Sequence, residues 1–322
     1  MPKVSIIVPV YNGADCLERA VGYINAFGQA DREVILVVDR RSDDDSVLVA
    51  QGLSERDPSV KVLIQTDGSK TGGARNMGMD SATGEFLCFV DVDDKPRPDY
   101  LRDMVGIQSE RGSDVVMCSF RVISSHRRNL DDRGRSYRCT DLDREDALLG
   151  VISGKYPGTP WVFLIRKEFA DSRNLRFIPG SCAEDTDFVI RMLCVADVIS
   201  YTDRPLYLYH QVVSPLDYKR RPLDRARVYR GIVRHVGDMY PEMGDEFAKR
   251  AAVSIVNDAI HRRPGDFREL LGDPEFKEWL ENHVYPEVSP TVGLLRNFPM
   301  LYYRVARIAD PVLKILKKVR SG

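Results

Sequence analysis

Gly84-Glu85-Phe86-Leu87-Cys88-Phe89-Val90-Asp91-Val92-Asp93-Asp94 is the stretch on which the reading of this chain turns. A short apolar run of this length reads as a buried strand. It stops at three carboxylates within four positions. Carboxylates at such a place stand together at the carboxyl edge of a sheet, where open α/β folds bind ligands. Grouped carboxylates repel one another unless a cation lies between them, and a hard divalent ion with oxygen ligands suits that role. An acidic turn after a core strand is the ordinary alternative for an isolated pair of this kind, but here other motifs accompany it.

Outward from this stretch the pattern alternates. Val4 to Val10, Glu33 to Val38 and Val60 to Ile64 are apolar strands. Ala14 to Phe27, Ser46 to Leu53 and Thr71 to Ala82 have helical spacing, with Leu17, Val21 and Ile24 on one face of the first. Strands alternating with helices predict a doubly wound, mostly parallel sheet. Tyr11-Asn12, Asp39 and Asp91-Asp93-Asp94 then share one edge as a nucleotide pocket. Further on, the spacing predicts a helix over 100–110, a strand over 114–122 and an exposed charged loop over 124–139. Helices follow over 141–152 and 183–196, then two short strands over 198–201 and 206–210. After residue 215 the chain turns basic and helical over 223–239, 244–261 and 274–281. Three regions are expected: 1–97 with the nucleotide pocket, 98–215 where the pattern changes, and 216–322 as an appended helical region.

The chain has 322 residues, 43% hydrophobic and 30% charged, an ordinary globular balance. A formal net charge of -1 gives no electrostatic case for nucleic-acid binding. Six cysteines lack a C-x-x-C pair and read as reduced thiols. Neither a signal peptide nor a run of ~18 apolar residues is present, so the expectation is a cytoplasmic chain without a membrane span. Residues 298–322 nevertheless set Arg304, Arg307, Lys314, Lys317, Lys318 and Arg320 against the single acid Asp310, with apolar residues interleaved. That basic amphipathic pattern suits an anionic membrane surface at the inner face, although the sequence alone slightly favours a helix packed on the body with a solvated basic side.

Four motifs in order, P-V-Y-N-G at Pro9 to Gly13, G-G-A-R-N-M-G at Gly72 to Gly78, G-E-F-L-C-F-V-D-V-D-D at Gly84 to Asp94 and A-E-D-T-D-F at Ala183 to Phe188, resemble glycosyltransferase family 2 over roughly residues 3 to 215. The resemblance implies a GT-A fold and inverting transfer of a sugar, from a nucleotide-sugar such as a UDP-sugar, to a glycan or lipid-linked saccharide. It implies a donor site of Pro9, Tyr11, Asn12, Asp39, Arg75 and Asp91. Asp93 is implied as the ligand of Mn²⁺ or Mg²⁺, with Asp94 beside it. The same resemblance makes Asp185 the catalytic base, with Glu184, His210 and Trp161 as further contributors. The residue chemistry agrees: an aromatic face suits a base, and a carboxylate accepts from base N–H groups or hydroxyls. A base must also take the acceptor's proton. Asp and Glu also suit a helix N-terminus, which is the structural alternative for Glu184 and Asp185. Arg75 serves equally as a phosphate contact or as a partner for the acidic cluster. Trp161 stacks on a sugar or sits in the core.

One departure matters. The family's V-D-D-G-S is replaced here by Val38-Asp39-Arg40-Arg41-Ser42. Counting from Glu33 puts Asp39 at the base-reading position, whereas counting back from Ser42 puts Arg40 there. Asp39 is preferred, with a loop enlarged by one residue. A pyrophosphorylase is disfavoured because no glycine-rich basic loop follows the first strand, and a dinucleotide oxidoreductase because no G-x-G-x-x-G does. A catalytically degenerate protein of the same fold, binding a nucleotide or a partner, stays open beside the transferase.

Overall fold

The computed structural model describes residues 3–27, 31–123, 135–181, 183–210, 222–261, 263–284 and 290–306. It divides into two compact units, Met1–Val212 and Val213–Gly322.

The first unit is an α/β domain with one nine-stranded sheet. Its elements are β1 (Val4–Val10), α1 (Ala14–Asn25), β2 (Arg32–Asp39), α2 (Ser46–Arg56), β3 (Val60–Gln65), α3 (Lys70–Ser81), β4 (Phe86–Phe89), β5 (Lys95–Pro96), α4 (Tyr100–Arg111), β6 (Val115–Ile123), β7 (Cys139–Leu142), α5 (Arg144–Ile152), β8 (Phe163–Arg166), α6 (Lys167–Ser172), α7 (Glu184–Val195) and β9 (Ile199–His210). The strand order is β3-β2-β1-β4-β8-β6-β9-β5, with β7 also on β9. Strands β1, β2, β3, β4, β6 and β9 run one way, and β5, β7 and β8 run against them. This is the expected mostly parallel sheet.

The parallel strands read as apolar runs because both faces are covered; Val34 to Val38 are all inaccessible to solvent. Close packing also depends on small residues in α3. A Cβ at Gly78 would lie 2.4 Å from Ile7 Cγ2 on β1, and one at Gly72 would lie 3.0 Å from the Ile178 carbonyl oxygen. These glycines let the helix approach the sheet on one side and the segment leading to α7 on the other.

Two of the expected elements differ in the structure. The two short strands over 198–201 and 206–210 are one strand, β9, and its Pro205 pairs with Ser119 where the register of β6 shifts. Proline donates no hydrogen bond to a ladder, and an irregularity in the partner accommodates it. The helix expected from 141 begins at Arg144, because Asp143 accepts the Asp146 N–H as a cap and 139–142 pair with β9. The charged loop over 124–139 lies mostly outside the described residues. At the opposite sheet edge from the acidic cluster, the buried Asp114 pins three strands. Its carboxylate pairs with Arg166 at the end of β8 and accepts the N–H groups of Asp197 and Val198, which precede β9.

The second unit is helical: α8 (Pro222–Met239), α9 (Pro241–Ile260), α10 (Pro264–Gly272), α11 (Pro274–His283) and α12 (Pro290–Asn297). Phe247, Ala251, Ile255 and Ala259 of α9 are fully buried at helical spacing. Trp279 of α11 donates its indole N–H to the Ala248 carbonyl at 3.2 Å. Residues 299–306 form a further helical stretch.

Candidate active site

The carboxyl ends of β1, β2, β4 and β9 bring Tyr11, Asn12, Asp39, Asp91, Asp93, Asp94 and His210 to one edge of the sheet. The loops after β1 and β2 are tied together there. Asn12, in the left-handed region at φ 50°, accepts the Asp43 N–H through Oδ1 at 2.8 Å. The Gly13 N–H donates to Ser46 Oγ at 2.9 Å and the Ala14 N–H to Asp44 at 2.9 Å. Tyr11 stands 49% exposed beside them, and Pro9 lies within β1 opposite Val37.

Asp39 is the last residue of β2 and pairs with Gln65 in the ladder. It is buried, and Arg41 folds back on it: Arg41 Nε lies 3.0 Å from Oδ1 and Nη2 2.5 Å from Oδ2, with the Arg41 N–H also on Oδ1 at 2.9 Å. These contacts, led by the guanidinium, hold the Asp39 carboxyl below its ordinary value.

The centre of the site is Arg75, which is 1% exposed. From α3 its guanidinium pairs with Asp91 at 3.1 Å and with Asp185 at the start of α7, while its face lies 5.3 Å from the Phe177 ring centroid. Burial works against its charge, but Asp185, Asp91 and Glu184 outweigh burial and push its pKa further up. Arg75 is therefore turned toward carboxylates, which is the second of its two sequence readings. Asp185 and Glu184 open α7, with Glu184 buried.

Asp91 is pushed up by burial, with Arg75 opposing. Its N–H donates to the Tyr207 hydroxyl at 3.1 Å. Asp94 is 1% exposed; Oδ1 accepts the His210 N–H at 2.7 Å, while Oδ2 has no hydrogen-bond partner. Burial, then the neighbouring Asp91, pushes its pKa up to about 8. Asp93 is half-buried, and among the described residues no Lys or Arg pairs with it. Also among the described residues, no three His, Cys, Asp or Glu side chains converge to hold a metal ion. An orphaned carboxylate oxygen beside a carboxylate with no counterion still fits a divalent cation that takes its other ligands from a bound molecule.

Trp161 is 4% exposed. It stacks on Tyr207 (centroids 4.4 Å apart, 22° between planes) and on Tyr209 (5.6 Å, 7°). Its ring is therefore buried in a stack with these two tyrosines. Two residues that the motifs did not single out take part: Arg41 on Asp39, and Tyr207 between Asp91 and the Trp161 ring. No local pattern announces Tyr207, because its contact with Asp91 spans 116 positions.

Comparison with known proteins bears on the family and the fold. The model of the family described as "Glycosyl transferase family 2" matches residues 5–178. An uncharacterized glycosyltransferase of Escherichia coli, YibD, is 27% identical over 269 residues, covering 77% of each chain. A Campylobacter jejuni protein named GalNAc(5)-diNAcBac-PP-undecaprenol beta-1,3-glucosyltransferase is 29% identical over 158 residues, covering 48% of this chain and 50% of its own. Among solved structures, residues 1–349 of Staphylococcus aureus TarS, in complex with UDP-GlcNAc, superpose with a TM-score of 0.70 at 19% identity, covering 96% of this chain and 91% of that one. The fold is thus of GT-A type. Matched over more than half its length by the family model, this chain belongs to glycosyl transferase family 2 and is a glycosyltransferase.

Proposed function

We propose that this enzyme transfers a sugar from a UDP-sugar, with inversion, to a hydroxyl of a glycan or lipid-linked saccharide at the cytoplasmic face of a membrane. The observation that carries the reading is the buried Arg75, which joins Asp185 to the end of the β4 strand although Arg75 and Asp185 are 110 positions apart. A base from the second half of the domain and the acidic end of β4 are thereby held by one guanidinium. UDP is favoured by the UDP-GlcNAc complex of TarS, and a lipid-linked acceptor by the undecaprenol-linked substrate in the name of the Campylobacter relative.

In this reading Tyr11 covers the base and Asp39 reads it or the ribose. Asp185 takes the proton of the acceptor hydroxyl as that oxygen bonds to the anomeric carbon. The bond to the diphosphate breaks, and its electron pair leaves with the nucleoside diphosphate. Asp93, with Asp94 beside it, would hold Mn²⁺ or Mg²⁺, which supplies Lewis-acid neutralisation of the leaving diphosphate when bound. Arg75 holds Asp185 in place for that proton transfer.

Thermal-shift titration with nucleoside diphosphates and nucleotide-sugars, with and without Mn²⁺, tests the reading, because a ligand selective for the native state raises apparent stability. Stabilisation by UDP or a UDP-sugar that needs Mn²⁺ and is lost in Asp93→Ala is expected. Asp185→Asn should keep that stabilisation and lose transfer; an active Asp185→Asn enzyme would remove the base assignment.

A further inference from the structure

We infer that the helical stretch over residues 299–306 is a docking surface for an anionic lipid bilayer. The stretch starts at Phe298, whose carbonyl accepts the N–H groups of Leu301 at 3.0 Å and Tyr302 at 2.9 Å. Tyr303 attaches it to the helical unit: it is 4% exposed, with its ring centroid 5.1 Å from that of Phe267 on α10. At about 100° per residue, Phe298, Leu301 and Val305 fall together on the side away from Tyr303. They are 62%, 51% and 46% exposed. Phe298 and the helix that follows it thus bury an aromatic on one side and turn three large apolar side chains to solvent on the other. A contiguous exposed apolar patch with a polar rim marks a contact surface.

Charge selects the partner. The exposed Arg304 flanks the stripe. The sequence beyond it, which lies outside the described residues, keeps the same spacing. Ile308, Val312, Ile315, Leu316 and Val319 repeat the apolar positions, among Arg307, Lys314, Lys317, Lys318 and Arg320. Six cations against one acid over residues 298–322, in a chain of net charge -1, make this part of the sequence strongly basic. An apolar stripe between cations matches acyl chains beneath anionic headgroups. Among the described residues no helix is long and apolar enough to cross a membrane, and the contact inferred here is interfacial. The inference deepens the lipid-linked acceptor reading and rests on it for its biological purpose, but its physical test does not require transfer.

The test is flotation of the full chain with vesicles of phosphatidylcholine alone and of an equimolar phosphatidylcholine–phosphatidylglycerol mixture, at low and high salt. Flotation with the anionic vesicles only, weakened by salt, is expected. Leu301→Ser/Val305→Ser should lower the partition coefficient by roughly tenfold or more, the scale set by losing two apolar side chains from the interface. The same variant should keep the parent's thermal transition, since both side chains are exposed. Absence of flotation, equal flotation with both vesicles, or a variant that floats like the parent overturns the proposal. A dimer of the parent that the double substitution dissolves, without flotation, assigns the stripe to a second copy of the chain and also overturns it. A chain that floats but ignores every nucleotide would instead count against the transferase reading alone.

Discussion

Replacing Arg75 by Met tests whether one buried cation holds this site together. The substitution removes the ion pairs with Asp91 and Asp185 and the contact with the Phe177 ring, while leaving a side chain that fills much of the same volume. Removing one partner of a buried pair costs about 3–5 kcal/mol, because the remaining charge is stranded. Asp91 and Asp185 each keep about 29% side-chain exposure, so water relieves part of the penalty and the lower end, about 3 kcal/mol, is expected. For a unit of this size that corresponds to a fall in Tm of about 6–12 °C. Arg75→Lys should recover only part, since a single ammonium cannot grip two carboxylates as a planar guanidinium does. Thermal and urea unfolding would measure both. If stranded charge is the cause, adding Asp91→Asn and Asp185→Asn to Arg75→Met must restore most of the loss. Arg75→Met within about 1 kcal/mol of the parent, or no restoration by the two amides, would refute the reasoning.

Two further outcomes follow from packing and titration. Gly78→Val should cost roughly 3 kcal/mol through overpacking against Ile7, whereas Gly106→Ala, on α4 with open space around it, should stabilise by about 0.5–1 kcal/mol; chemical denaturation of the two compares them directly. Asp114→Asn should cost about 2–4 kcal/mol at neutral pH. Burial opposes ionisation of Asp114, but Arg166 and two amides outweigh it and lower its pKa from the ordinary 3.8. Its stabilisation is therefore complete above 3.8 and fades as pH falls through the lowered value. Unfolding curves of parent and variant should converge in acid, and a gap that persists there would contradict this account.

The first half of the sheet was legible because its chemistry is local. Val4 to Val8 and Val34 to Asp39 are buried on both faces, so the sequence itself is a nearly continuous apolar run that gives way to a polar residue at the ligand edge. The acidic cluster and Asp185 each lie within a short motif, and the structure brings Asp91 and Asp185 onto one guanidinium. The second half depends on partners distant in the chain. Phe163–Arg166 carries no mark of a strand inserted antiparallel between β4 and β6, and Lys95–Pro96 is two residues long. Trp161 could have faced ligand or core; only the placing of Tyr207 and Tyr209 beside it decides. Arg41 could not be foreseen as the cover of Asp39, because the loop carrying it departs from the pattern that the flanking residues lead one to expect.

The position of β8 has a consequence for how the polypeptide is made. On the ribosome, β1 to β4 can pair as soon as Phe89 has emerged, yet the far edge of β4 finds its neighbour only when Phe163 follows, 74 positions later. At roughly 5–20 residues per second the nascent chain spends about 4–15 s with that edge bare. The bare edge is Phe86-Leu87-Cys88-Phe89, fully apolar and without a charge to discourage pairing with another molecule. The interval between these two strands is thus when the newborn protein is most exposed to self-association, and when a chaperone that binds extended apolar segments would have most to hold.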